Sequence, residues 1–486
     1  MYYTLNLHPK ALWNYFEDIC KIPRPSKKEE KISEFLMAFA GQHKLEAKKD
    51  ITGNVLIKKP ASQGFEKMQP VVLQSHTDMV CEKNGDITHD FEKDPIEPYV
   101  DGEWVKARGT TLGSDDGIGM AAQLAILTSE AIGHGPLECL FTVDEETGLT
   151  GASALSEDFM SGKILINLDS EDEGELFIGC AGGRDTTAVF NFDRVDIIPD
   201  YTAYKISVSG LKGGHSGDDI DKGLANSNKL LCRFLWNAAN NFKLRLNLFD
   251  GGNLRNAIPR EAYSIVMVPE SSVNDFLNFF EKYYSNVKNE YSVTEPQMIL
   301  KLENTSAPHF LIDEKSQNNL LNALYACPHG VIAMSQTISG LVETSTNLAS
   351  VKFADINRII VTTSQRSSVD SARESIAEMV ESVFLLADAE VEHSEGYPGW
   401  TPDTNSRILN ITVNSYRNLF GADPKVRAIH AGLECGLFLK KYPYLDMISF
   451  GPSIKGAHSP DERLNIESVN RFWRLLLDVL KSLPVD

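Results

Sequence analysis

The chain has 486 residues, too many for one compact core, so two or three domains are expected, each able to fold without staples. Its formal charge of −20 would repel nucleic acid, and no apolar run reaches the roughly 18 residues of a membrane span. Met1 to Lys10 carries neither the basic nor the apolar region of a secretory signal, and seven scattered cysteines without C-x-x-C spacing fit reduced thiols. These features argue against nucleic-acid and membrane partners and predict a cytoplasmic protein with a small ligand.

Residues 9 to 45 carry two helical patterns split by Ile22-Pro23-Arg24-Pro25-Ser26, with Ser26 placed to cap the second and Glu29 at its N3 position. Strand and helix signals then alternate. Residues 55–58, 71–74, 137–143 and 164–168 read as short buried strands, and 117–131 as a helix. Such alternation predicts an α/β layer around a mostly parallel sheet, with ligand chemistry beyond the carboxyl ends of the strands.

After Gly179-Cys180-Ala181-Gly182-Gly183-Arg184 the character changes to α+β. Strands are expected at 204–208, 263–268 and 358–363, and helices at 225–240 and 371–386. Residues 203–300 and 305–395 both have strand-helix-strand character, as an internal duplication would. Beyond Tyr397-Pro398-Gly399-Trp400 the α/β signals resume, with helix 406–420, strand 447–450 and an amphipathic helix 466–483. The expected organisation is a discontinuous domain, 1–186 with 397–486, interrupted by an inserted domain at 187–396, with a substrate cleft between them.

Polar residues of one chemistry cluster at the strand ends. In Val71 to Val80 an apolar strand ends on His76-Thr77-Asp78, and side chains two apart on a strand share a face. Gly113-Ser114-Asp115-Asp116-Gly117-Ile118-Gly119 precedes a helix and alone reads as an N-cap. Asp144-Glu145-Glu146 follows a buried strand, where three adjacent acids repel unless solvent or cations relieve them. Asp169 and His458 stand beyond two further strands. Two histidines with several carboxylates form an N/O set suited to zinc, manganese or cobalt, and more ligands than one ion needs imply a dinuclear site. The expected chemistry is metal-assisted amide hydrolysis.

With these segments the chain resembles the dinuclear zinc aminoacylase and carboxypeptidase superfamily, and most closely its aminoacyl-histidine dipeptidase branch. The likeness rests on His76-Thr77-Asp78-Met79-Val80, Leu112 to Gly119, Asp144-Glu145-Glu146-Thr147-Gly148, Asn167-Leu168-Asp169-Ser170, Gly179 to Gly183, and His458-Ser459-Pro460. Tyr397 to Trp400 and His430-Ala431-Gly432-Leu433-Glu434-Cys435-Gly436 carry the branch. The resemblance implies a phosphorylase/hydrolase-like catalytic domain with an inserted α+β lid. It makes Asp115 the carboxylate shared by two divalent ions, most simply zinc, with cobalt and manganese as alternatives. His76 and Asp169 complete one ion, Glu146 and His458 the other. Glu145 becomes the general base, acting on a hydroxide bridging the ions, and Asp78 orients His76. In the lid, His215 of Gly213-Gly214-His215-Ser216-Gly217 would donate to the oxyanion, while Asn256 and Arg366 hold the substrate carboxylate. Glu434 would hold the substrate ammonium or serve loop structure. Asp116 departs from the asparagine usual in the branch, which leaves open whether it shares the bridging role.

The expected activity is hydrolysis of unblocked dipeptides with preference for Xaa-His. The rivals are a broad dipeptidase or tripeptidase, an N-acyl amino acid deacylase, and a non-catalytic peptide binder. A doubled lid would let His215 serve its own site, whereas a single-sized lid would need a homodimer supplying it in trans.

Overall fold

The computed structural model describes residues 5–354 and 357–485. The chain divides into two compact units, Met1–Gly179 with Pro402–Ala428 and Leu433–Asp486, and Cys180–Thr401 with Ile429–Gly432. The second unit begins this early because Gly182–Asn191 pairs along its whole length with Arg358–Ser367. It ends late because Trp400 and Tyr397 bridge back to Cys180 and Gly183.

In the first unit an eight-stranded sheet runs in the order Glu46–Lys49, Val55–Lys59, Leu137–Thr142, Val71–His76, Ile164–Asn167, Asp446–Ser449, Glu175–Cys180, Lys425–Ile429. The middle four strands are mutually parallel, and antiparallel pairings flank them. Val71–His76 and Leu137–Thr142 are buried at every residue, as parallel strands covered on both faces must be, which explains the apolar runs Val71-Val72-Leu73 and Cys139-Leu140-Phe141. A smaller sheet joins Ile454–Lys455, Arg463–Asn465, Trp104–Ala107 and Pro98–Asp101.

One expectation at a helix start is corrected. The second helix spans Glu30–Gln42, and Ser26 does not cap it: its hydroxyl donates to Asp78 Oδ2 at 2.7 Å. The neighbouring Pro25 bridges to Met79, so this segment follows the His76–Asp78 strand end instead of joining the helix. The helix expected from 117 does run on unbroken from Gly117 to Thr128; a short turn from Ser114, behind Gly113 at φ 67°, precedes it, with non-helical backbone at Asp115 and Asp116. Any Cβ at Gly113 would also meet Arg24 Nη2 at 2.6 Å, so glycine serves both conformation and close approach there.

The second unit is built on a nine-stranded antiparallel sheet ordered Ile299–Asn304, Tyr201–Ser209, Ala262–Pro269, Arg245–Gly251, Val342–Ala354, Arg358–Ser367, Gly182–Asn191, Glu390–His393, with Gly330–Met334 added on Val342–Ala354. Its two halves share one plan. Tyr201–Ser209, helix Ser227–Phe242, Arg245–Gly251, Ala262–Pro269, helix Val273–Glu290 and Ile299–Asn304 form one β-α-β-β-α-β run. Gly182–Asn191, helix Glu314–Ala326, Val342–Ala354, Arg358–Ser367, helix Asp370–Leu386 and Glu390–His393 form the other, with the same strand order read outward from the middle. The copies are nested, since the first is inserted between the opening strand and first helix of the second. The aromatic side chains of Phe234, Phe276, Phe280 and Phe384 lie in the core this unit buries.

Candidate metal centre

Each central strand of the first unit delivers a polar side chain at its carboxyl end. His76 closes Val71–His76, Asp144 to Glu146 follow Leu137–Thr142, and Asp169 follows Ile164–Asn167. Ligand atoms of His76, Asp115 and Asp169 lie within 4.8 Å of one another, and so do those of Asp115, Glu146 and His458. Asp115 belongs to both groups. Its Oδ1 stands 2.9 Å from His76 Nε2, and its Oδ2 3.3 Å from His458 Nε2. Asp169 Oδ1 lies 3.3 Å from His76 Nε2, and Glu146 Oε2 3.0 Å from His458 Nε2. Asp116 turns away: its Oδ1 accepts the Gly119 N–H at 3.1 Å, so the helix start claims it.

The electrostatics are those of a cation site. Burial opposes a charged His76, but Asp169, Asp115 and Asp78 outweigh it and lift its pKa well above the ordinary value. Hydrogen bonds to Asp115 and Glu146 push His458 up to about 11. Burial would raise Asp115, yet bonds and charge from His458 and His76 hold it far below the carboxylate range. The carboxylates around the two imidazoles call for positive charge, which divalent ions would supply, and such ions reverse the local pKa logic. The donor set fits a pair of dications: imidazoles and carboxylates without thiolate, converging on shared points, with the buried Glu146 Oε1 lacking any protein partner.

Asp78 organises the surroundings. Its Oδ1 lies 3.3 Å from His76 Nδ1 and accepts the Glu145 N–H at 3.0 Å, while Oδ2 accepts the Glu146 N–H at 3.2 Å. Against its burial, these bonds, the His76 charge and Ser26 bring its pKa down to about 2. Glu145 is raised well above the carboxylate range by burial, with Glu434, Glu146 and Asp115 adding to it. Glu434 is itself buried. Its Oε2 accepts from Gln74 Nε2 at 2.6 Å and Thr142 Oγ1 at 2.8 Å, its Oε1 has no partner, and burial lifts its pKa to about 7.

Sequence reasoning missed the buried supports. Arg24 donates to the carbonyls of Thr77, Asp78 and Gly113, tying two ligand loops together. Glu29 accepts the Asp144 N–H at 2.9 Å, and the Thr147 and Thr150 hydroxyls donate to the Asp144 carboxylate. Glu462 accepts from the Leu112, Gly113 and Ser114 amides. Placement four residues after His458 was the one signal for Glu462, and the two flanking prolines the one for Arg24.

The second unit gathers the remaining expected residues. His215 and Ala257 are ladder partners, and the Ser216 N–H donates to Asn256 O at 2.8 Å, so the His215 and Asn256 loops lie side by side. Arg366 is buried, donates to Tyr397 Oη at 3.1 Å, and meets no carboxylate within ion-pair distance among the described residues. His430 Nε2 lies 2.7 Å from Ser345 Oγ, and burial together with Arg366 pushes its pKa down to about 4. The glycines of 182–183 explain part of the branch motif. A Cβ on Gly183 would strike the Tyr397 hydroxyl at 2.6 Å and its ring at 2.7 Å, so the close packing that presents Tyr397 to Arg366 requires glycine.

A mixed α/β sheet whose strand ends carry two imidazoles and shared carboxylates defines a class, the metal-dependent hydrolases. The profile of peptidase family M20/M25/M40 matches residues 72–482, and the chain belongs to that family. It is 46% identical over 478 residues to the cytosol non-specific dipeptidase of Escherichia coli (strain K12), covering 98% of both chains. The solved aminoacylhistidine dipeptidase of Vibrio alginolyticus superposes with a TM-score of 0.94 at 45% identity, over 100% of this chain and 99% of that one. A metallo-carboxypeptidase of Sulfolobus solfataricus shares the fold alone, with a TM-score of 0.52 at 13% identity over 97% and 99% of the chains. The protein is therefore a metal-dependent peptide bond hydrolase. Among the described residues no helix is long and apolar enough to cross a membrane.

Proposed function

We propose that the chain is a cytoplasmic dinuclear metallodipeptidase. The observation that carries this reading is Asp115 standing in two ligand groups at once. One divalent ion would be held by His76, Asp115 and Asp169, the other by Asp115, Glu146 and His458; zinc suits these donors, as do cobalt and manganese. When bound, the ions supply Lewis-acid polarisation of the scissile carbonyl and a water that ionises near neutral pH.

The chain's own residues do the rest. Asp78 fixes the His76 ring through Nδ1 and holds the backbone of Glu145 and Glu146. Glu145, whose carboxyl burial raises above its ordinary range, takes the proton from the attacking water and gives it to the leaving amine. His215 donates to the oxyanion. Arg366, buried and without an anionic partner among the described residues, receives the free carboxylate with Asn256, and the Oε1 of Glu434, unpartnered among the same residues, receives the ammonium. The nested duplication in the second unit favours His215 serving its own chain, without a homodimer.

The substrates are unblocked dipeptides, Xaa-His among the best, a choice supported by the likeness to the Vibrio enzyme. The name of the Escherichia coli relative favours a second reading, broad dipeptide selectivity. Hydrolysis of β-Ala-His, Leu-Gly, Gly-Gly-Gly and N-acetyl amino acids by the zinc-loaded protein decides between them. Cleavage of dipeptides alone, fastest for β-Ala-His, is expected; equal rates on Leu-Gly support the broad reading. Turnover confined to N-acetyl amino acids would overturn both.

A further inference from the structure

Glu462 is a buried carboxylate, 2% exposed, with no cation in ion-pair distance among the described residues. Its charge is met by amides. Oε2 accepts the N–H of Leu112 at 2.7 Å and of Gly113 at 2.9 Å, and Oε1 accepts the Ser114 N–H at 2.7 Å, the Ser114 hydroxyl at 2.5 Å and the Asp115 N–H at 3.4 Å. Four successive amides thus wrap one carboxylate, and the last belongs to the residue shared by both ligand groups.

The other end of Glu462 is equally fixed. Its N–H donates to Ser459 O at 3.0 Å, closing a turn that starts at His458, a residue held at φ 63°. Immediately after it, Arg463–Asn465 pairs with both Ile454–Lys455 and Trp104–Ala107. The hairpin carrying His458 is therefore anchored in the small sheet on one side and, through Glu462, to the Asp115 loop on the other. We propose that Glu462 is a positioning residue that sets the separation of Asp115 and His458, and with it the affinity for the ion those two residues share. This rests on the metal-binding reading above.

The chemistry makes Glu462→Gln informative. An amide keeps the volume, but its NH2 would face N–H donors and one acceptor oxygen is lost, so the wrap over 112–115 cannot be kept. Loss of such a supporting partner typically costs roughly 10–100-fold in metal affinity. His76 and Asp169 hold the first ion from other strands and do not touch Glu462.

The test is calorimetric titration of the apoprotein with Zn2+, with the melting temperature of the apo form measured in parallel. The wild type is expected to bind two ions. Glu462→Gln should weaken one of them roughly 10–100-fold and leave the other within about threefold, while the apo melting temperature falls because buried amides lose their acceptor; kcat should fall more than KM rises. Ser114→Ala, which removes only the hydroxyl donor, should shift the same ion in the same direction by a smaller factor, and it decides the matter if Glu462→Gln does not fold. Unchanged affinities for both ions in the folded variants would overturn the proposal, as would equal weakening of both ions. Fewer than two ions on the wild type would overturn the metal-binding reading itself, and this proposal with it.

Discussion

His76 Nε2 stands 2.9 Å from Asp115 Oδ1, leaving the second oxygen of that carboxylate 3.3 Å from His458. One short side chain thus meets imidazoles from two distant parts of the sequence. Neighbouring Asp116 accepts a helix amide instead, and burial pushes its carboxyl well above the usual range. The two aspartates should respond oppositely to substitution. Asp115→Ala should lower kcat/KM roughly 10³-fold or more and release metal, whereas Asp116→Asn, which keeps an acceptor oxygen for the Gly119 N–H, should stay within about threefold. Metal content and kcat/KM of both variants check this; equal losses would assign the bridging role wrongly.

Glu145→Gln removes the proton carrier without touching the ligand atoms of Asp115, Asp169 or His76. Metal content and KM should hold while kcat falls roughly 10²- to 10⁴-fold. Steady-state kinetics on a metal-saturated variant is the measurement, and an unchanged kcat would leave the proton transfer to another group.

Arg366→Lys keeps the charge but not the planar fork, so KM for a dipeptide should rise roughly tenfold. The control is the same dipeptide as its carboxyl-terminal amide. Wild type and variant should handle the amide alike, because the carboxylate Arg366 recognises is gone. A variant equally impaired on both substrates would point to a packing defect around Tyr397.

Two histidines of the second unit give the chain an acid-sensitive window. Burial, then the charge of Lys229, lowers His329 from 6.5 to about 4, and its Nδ1 accepts the Leu348 N–H at 3.4 Å. A depressed folded pKa means that the unfolded state binds the proton first as pH falls. The stabilisation is therefore complete above pH 6.5 and is lost as pH drops through about 4. At most about 3 kcal/mol is at stake for His329, and His430 titrates in the same window for a similar reason. Urea unfolding from pH 7 to 4 should show a falling stability, with a shallower fall in His329→Gln. A parallel slope in that variant would place the acid sensitivity elsewhere.

If His215 acts within its own chain, mixing His215→Ala with Glu145→Gln protein should restore no activity. Recovery would instead require a homodimer that exchanges the residue between subunits.

The strand ends were legible because His76, Glu146 and Asp169 each follow an apolar run that the pattern of burial makes unmistakable. Asp115 was legible through its motif, although its role depended on resemblance, since an aspartate before a helix reads equally well as a cap. Supports such as Arg24 and Glu462 were not legible. Their partners are backbone groups about 55 to 350 residues away, and a backbone amide leaves no trace in composition. Nesting hid where the second half of that sheet begins, because its opening strand Gly182–Asn191 is separated from its first helix, Glu314–Ala326, by the whole first half. Ser26 misled for a local reason: a serine after prolines looks like a cap until Asp78 claims its hydroxyl.

The most direct test of the dinuclear centre is an anomalous difference map at the zinc edge from zinc-soaked crystals of the unmodified chain. The account predicts two peaks, with the Asp115 carboxylate between them, His76 and Asp169 on one and Glu146 and His458 on the other. A single peak, or two peaks bridged by Asp116, would contradict it.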